Sequence, residues 1–199
     1  MKGFTRIGII TGLIVLAFVA NPDVIRAQNS RGCAWPIEWS PEGFGNVIAP
    51  DSFSRYWAMP FDNYETMTIK GTYPNARYFS IAAYATNPDK TVLDLAGAIH
   101  DADIGPDPGS INPFVKPGAP NGIYGTYSVV VSRSGTTSGN TIAVSSDFAW
   151  AVLRIYVPDA DSSLTGKSLR GGVPLPTISV TSNGATQQTR VRRLTSCQT

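Results

Sequence analysis

Histidine occurs once in this chain, at His100, and cysteine twice, at Cys33 and Cys197. A zinc site is built from three or four soft donors and is poorly supported here, because pairing of the two cysteines would leave His100 alone. Glutamate is nearly as scarce: Glu38, Glu42 and Glu65 are the only ones, all early in the chain. Glycoside hydrolysis needs two carboxyl groups flanking a sugar bond, and nothing pairs these glutamates with an aspartate. The G-x-S-x-G nucleophile elbow, the phosphate-cradling loop and the dinucleotide fingerprint are all missing. His100 beside Asp101 could act as a base for one of the many serines, but adjacent residues on a strand point to opposite faces. The residue inventory argues against catalysis, leaving a hydrolase of unspecified substrate as the residual enzymatic reading.

Charge is also sparse, at 15% of residues, with 16 basic against 14 acidic side chains. Lys2, Arg6, Arg26 and Asp23 lie in the first 27 residues, so the remainder is neutral. A neutral body has no global field for nucleic acid. Arg190, Arg192 and Arg193 read as the solvated side of a terminal strand rather than a patch for anionic lipid or a partner.

The one long apolar run is at the start. Lys2 and Arg6 precede an uncharged stretch from Ile7 to Ala20, then Asn21-Pro22 and the small residue Ala27. These are the n-region, h-region and cleavage region of a secretory signal. Ile25 is large for its place before the cut, so a second reading stands beside cleavage. Residues 7–25 would be an uncleaved anchor, a helix of about 28 Å against a bilayer core of about 30 Å. Either way residues 28–199 form a single exported domain, periplasmic or secreted, or anchored in the inner membrane and facing the periplasm. Cys33 follows Ser30-Arg31-Gly32, which does not fit a lipoprotein signal. In an oxidising compartment Cys33 and Cys197 are expected to form a disulfide closing nearly the whole domain, contributing roughly 4 to 5 kcal/mol.

Beyond residue 27 the texture is short β-rich runs cut by Gly, Pro, Asn and Asp. Met67 and Ile69 alternate with Thr66, Thr68 and Lys70, and strands are predicted at 78–84, 124–131, 141–144, 148–157 and 175–180. Phe148 to Val157 is apolar at almost every position, which predicts a central strand covered on both faces, with Trp150 in the core. Tyr73-Pro74-Asn75 reads as a tight connection, Ser132 to Asn140 as a hairpin loop, and Thr91 to Ala98 as the only short helix. The pattern predicts an antiparallel β-sandwich of jelly-roll or immunoglobulin-like type, preceded by the signal or anchor helix.

Four segments are distinctive: Ala76-Arg77-Tyr78-Phe79-Ser80, the turn-rich stretch Asp101 to Phe114, Leu153 to Asp159, and Gly171-Gly172-Val173-Pro174-Leu175-Pro176. Together they resemble a family of uncharacterised exported bacterial proteins and, more remotely, a domain of unknown function at the carboxyl end of bacterial envelope proteins. The resemblance spans roughly Asp51 to Val180. It implies a β-sandwich and an envelope location, and no activity.

Two groups of residues are candidate sites. Asp101, Asp103 and Asp107 supply hard oxygen donors for calcium, the one cofactor the chain suggests. The alternatives are turn capping and an ion pair with Arg77 or Arg154. Trp35, Trp39, Tyr56, Trp57 and Tyr64 form an early aromatic cluster, either core packing or an exposed platform for sugar rings. The expected function is a non-catalytic interaction or scaffold module, an accessory subunit docked on a protein partner at the membrane surface. A carbohydrate-binding, lectin-like module is the alternative.

Overall fold

A computed structural model describes residues 33–39, 53–86, 93–116, 125–158, 170–183 and 189–196. They form the strands β1 (Cys33–Ala34), β2 (Ile37–Trp39), β3 (Ser54–Asp62), β4 (Thr66–Thr72), β5 (Ala76–Thr86), β6 (Leu93–His100), β7 (Thr126–Ser132), β8 (Thr141–Ala143), β9 (Phe148–Pro158), β10 (Thr177–Asn183) and β11 (Thr189–Ser196). Two sheets result, one ordered β1-β11-β10-β4-β7-β8 and the other β2-β3-β9-β5-β6. Neighbours run antiparallel except β1 beside β11 and β7 beside β8. The chain is thus an all-β sandwich, and none of the described residues is α-helical.

Period-two alternation builds the shared core. Met67 and Ile69 of β4 are fully buried while Lys70 is exposed, and Tyr127, Val129 and Val131 of β7 repeat the pattern. From the other sheet, Trp57, Met59 and Phe61 of β3, Phe79 and Ile81 of β5, and Leu153 and Ile155 of β9 join the same cluster. Each large side chain so buried contributes about 1.5–3 kcal/mol. The chain passes between the sheets at Trp35, whose φ of 53° is unusual for a bulky residue. Full burial and a 2.7 Å hydrogen bond from its indole Nε1 to the Pro176 carbonyl hold it there.

Three local expectations are corrected. Thr91 to Ala98 is not a helix, because Leu93–His100 is the strand β6, laddered to β5 from Ser80 opposite His100 to Thr86 opposite Leu93. A register shift between Ala83 and Tyr84 puts Leu95, Ala98 and His100 on one face. The resulting three-residue step between Leu95 and Ala98 imitates a helical spacing. Ser132 to Asn140 is not a hairpin loop either. Ser138 and Thr141 first exchange backbone hydrogen bonds, at 3.1 and 2.9 Å, and β8 then runs parallel to β7. Residues 73–75 are a short connection as expected, but they carry the chain from one sheet to the other.

β9 is central in its sheet, between β3 and β5. Trp150 is buried as expected, 7% exposed, but in a second cluster with Ala58 and Val152 on the outer side of this sheet rather than in the shared core. The signal or anchor segment and Cys197 lie outside the described residues. Cys33 pairs in parallel with Thr195, two residues before Cys197. Among the described residues no helix is long and apolar enough to cross a membrane.

Candidate functional site: the outer face of the five-stranded sheet

On an antiparallel sheet, residues directly opposite one another share a face, so register alone places the outward side chains of the five-stranded sheet. One row crosses all five strands: Trp39, Tyr56, Arg154, Ser80 and His100. Beside it lie Ser54, Tyr156 and Tyr78. On the other side come Ile37, Ala58, Val152, Ala82 and Ala98, then Pro60, Trp150, Tyr84 and Leu95. A solvated sandwich face alternates to polar residues, whereas this one is aromatic and aliphatic. Trp39, Tyr56, Tyr84 and Phe148 are half-buried around Trp150 and Val152, with Phe148 and Trp150 edge to face at 5.7 Å. Leu95, at the β6 end of its row, is 58% exposed.

The chemistry concentrates at the Arg154 end. The Arg154 guanidinium lies 5.4 Å from the Tyr56 ring centroid, 5.7 Å from Tyr78 and 5.8 Å from Tyr156. Its Nε and Nη2 donate toward the Ser54 hydroxyl at 3.4 and 3.2 Å. Tyr78 Oη and His100 Nδ1 are 2.7 Å apart, with the rings 5.8 Å between centroids. β9 supplies the arginine because its even-numbered positions point outward while Ala149, Ala151, Leu153 and Ile155 fill the core. The result is a cation framed by three phenol rings, with an imidazole and two serine hydroxyls alongside. Ser54 and Ser80 are only 1% and 6% exposed, so these groups are packed into the face rather than laid open on it.

The predicted aromatic cluster divides. Trp39 and Tyr56 belong to this face, Trp35 and Trp57 are fully buried in the shared core, and Tyr64 packs against that core. Strand alternation explains the split of Tyr56 from Trp57, since neighbours in β3 point opposite ways. Sequence reasoning missed Tyr78, Tyr84, Tyr156 and the outward role of Arg154. Their signal was the run of Phe148, Trp150, Val152, Arg154 and Tyr156 at alternate positions.

The three aspartates do not converge. Asp101 Oδ1 accepts the Ala102 N–H at 2.6 Å, Asp103 is exposed, and Asp107 Oδ2 lies 3.9 Å from Lys70 Nζ. No group of three His, Cys, Asp or Glu that would hold a metal occurs among the described residues. The calcium reading therefore gives way to turn capping, and the ion pair runs to Lys70 rather than to Arg77 or Arg154. Carboxamides fasten this loop. Asn112 Nδ2 donates to the Asp101 and Ile104 carbonyls at 2.7 and 2.9 Å, and its Oδ1 accepts the Phe114 N–H at 2.8 Å. Asn140 binds both the N–H and the carbonyl of Gly105, each at 2.7 Å. The Tyr73 hydroxyl donates to the Ile104 carbonyl at 2.6 Å. Burial, with the Asp107 carboxylate adding to it, pushes the Tyr73 hydroxyl far above the usual phenol range, and burial does the same to Tyr127. Both phenols stay protonated near neutrality and act as packing groups.

No protein-family model matches the chain, and no curated protein does. Similar solved structures include an uncharacterized protein from Burkholderia cenocepacia, at 12% identity and a TM-score of 0.47, covering 87% of this chain and 40% of that one. Another is a protein from Vibrio parahaemolyticus, at 16% identity and a TM-score of 0.45, covering 68% of this chain and 33% of that one. The chain thus spans less than half the length of either.

Proposed function

We propose that the protein is a non-catalytic extracytoplasmic recognition module whose contact surface is the outer face of the five-stranded sheet. The observation carrying this reading is the aromatic and aliphatic character of a sheet face whose positions are ordinarily polar, buried at Ala58, Val152 and Trp150 and open toward the margin at half-buried Tyr84 and exposed Leu95. Buried or half-buried rings of this kind dominate recognition energetics. The export signal at residues 1–27 supplies the location, and the β1 to β11 register supports the Cys33–Cys197 disulfide by bringing the two ends of the exported body together. Intact mass of the native protein without reductant should read the oxidised form and show whether residues 1–27 are removed.

A Tyr84→Ser, Leu95→Ser double variant tests the surface. It should keep the unfolding transition of the wild type and lose at least tenfold in binding to whatever the wild type retains. Unchanged binding would refute the assignment of this face. Docking on a membrane protein as an accessory subunit is the second reading. It draws on Leu95 and on β6, which among the described strands pairs with β5 alone and so stands at the edge of its sheet.

A further inference from the structure

We infer that β6 is a guarded edge: the extra residue Ala96 and the carboxylate of Asp94 keep this strand from pairing with β6 of a second copy. The inference stands apart from the recognition-module reading and concerns self-association. Position carries it first. Among the described strands β6 pairs with β5 alone and ends the five-stranded sheet. Asp94, Leu95 and Ala96 are exposed, Leu95 at 58%. Every second residue of such a strand turns its N–H and carbonyl away from its one neighbour. Among the described residues, no backbone hydrogen bond from outside the β5 ladder reaches residues 93–99. An open row of backbone groups is a template for another strand.

Geometry carries it next. Gly97 lies opposite Ala83 and Leu95 opposite Tyr84, so Ala96 between them is an extra residue with no partner on β5. Such a bulge bends its strand and breaks the even spacing that a flat edge offers. It is held from the core side, because Gly97 packs so closely on β8 that an added Cβ would come 3.0 Å from Ile142 Cγ2. Removing Ala96 would straighten the strand while leaving every ladder partner in place, from Ser80 opposite His100 to Thr86 opposite Leu93. A two-fold axis at Gly97 would then set Leu95 against Ala98 of a second copy, outward side chain against outward side chain. The same axis would set Asp94 against Ile99. Asp94 is the one carboxylate of β6, and pressing it against an apolar residue costs free energy, which makes it the second guard. A partner docking at this margin therefore meets the side chains of Tyr84 and Leu95 and adds no strand to β6.

The test compares the full chain with three variants: deletion of Ala96, Asp94→Thr, and both changes together. Sedimentation velocity over a concentration series reads association, and amide hydrogen exchange reads its location. The doubly changed chain should self-associate about tenfold or more tightly than the wild type, with either change alone falling between. Amides of residues 93–99 should exchange more slowly as association proceeds. Adding Leu95→Lys, a new charge on the same strand, should restore the wild-type mass. Circular dichroism and the unfolding transition separate altered association from altered fold, and if the deletion does not fold, Asp94→Thr decides by the same two readouts. Equal self-association of the wild type and the doubly changed chain overturns the inference. Tighter association without slower exchange in β6 overturns it too, because the contact then lies on another surface. A wild type whose β6 amides already slow with rising concentration has no guarded edge, and overturns it as well.

Discussion

Arg133, immediately after β7, is the joint most sensitive to a single substitution. Its Nε donates to the Tyr64 carbonyl at 2.7 Å, and its Nη2 to the carbonyls of Asp147 and Phe61 at 2.6 and 3.1 Å. Nη1 donates to the Ser146 carbonyl, and the guanidinium sits 4.7 Å above the Phe61 ring centroid. One side chain thereby ties the end of β7 to β3, to the β3–β4 connection and to the β8–β9 connection, across both sheets. Hydrogen bonds to a charged donor are worth about 1.5–3 kcal/mol each. Four would exceed the stability of many domains, but Arg133 is only half-buried and water replaces part of what is lost. Arg133→Ala is therefore predicted to cost about 3–4 kcal/mol. At about 2–4 °C per kcal/mol for a chain of this size, the melting temperature should fall by roughly 10 °C. Arg133→Lys keeps the charge without the fork and should recover less than half of that loss. Because the acceptors are carbonyls rather than carboxylates, the loss should hardly change with salt. Urea unfolding of the three proteins at low and high ionic strength measures all of this. A cost below about 1 kcal/mol for Arg133→Ala, with an unchanged m-value, would refute the reasoning.

Two buried tryptophans offer a matched pair. Trp35 Nε1 has the Pro176 carbonyl, whereas Trp57 Nε1 is buried without a hydrogen-bond partner. Trp57→Phe sheds an unsatisfied donor, a relief of about 1–3 kcal/mol that offsets the lost area, and should be near neutral. Trp35→Phe orphans the carbonyl and should cost about 2 kcal/mol more in chemical denaturation. Tyr73 and Tyr127 make stability fall at alkaline pH. Their folded values lie above the unfolded value of 10.0, so the stabilisation is complete below about pH 10 and declines above it. The slope should approach about 1.4 kcal/mol per pH unit for each phenol, and Tyr127→Phe should halve it in unfolding series from pH 9 to 11.5.

How much of this was legible beforehand follows the physics of strands. Period-two alternation marked β4, a continuous apolar run marked β9, and the density of Gly, Pro and Asn marked the turns, so the sandwich class was readable from local pattern alone. The site was not. Both alternating sets of β9 are apolar, and hydrophobicity by itself cannot tell which set meets the other sheet, so the burial of Trp150 was readable but not its place in the second cluster. β6 was misread because its bulge spaces outward residues as a helix would. The aspartates of the 101–114 loop satisfied the composition of a cation site without its convergence. Loop closure there is governed by Asn112, Asn140 and Tyr73, whose partners lie up to 35 positions away in sequence.

Local covalent chemistry and periodicity were enough to determine the strand-rich character, the apolar run at residues 7–20 and the poverty in catalytic groups, because each is a property of neighbouring residues. Which face of the five-stranded sheet collects the rings, and that Arg154 of β9 meets Tyr56 of β3 and Tyr78 of β5 while Tyr78 meets His100 of β6, was decided by strand pairing. That pairing is set by cross-strand hydrogen bonding and by which apolar set finds the second sheet, and both are long-range.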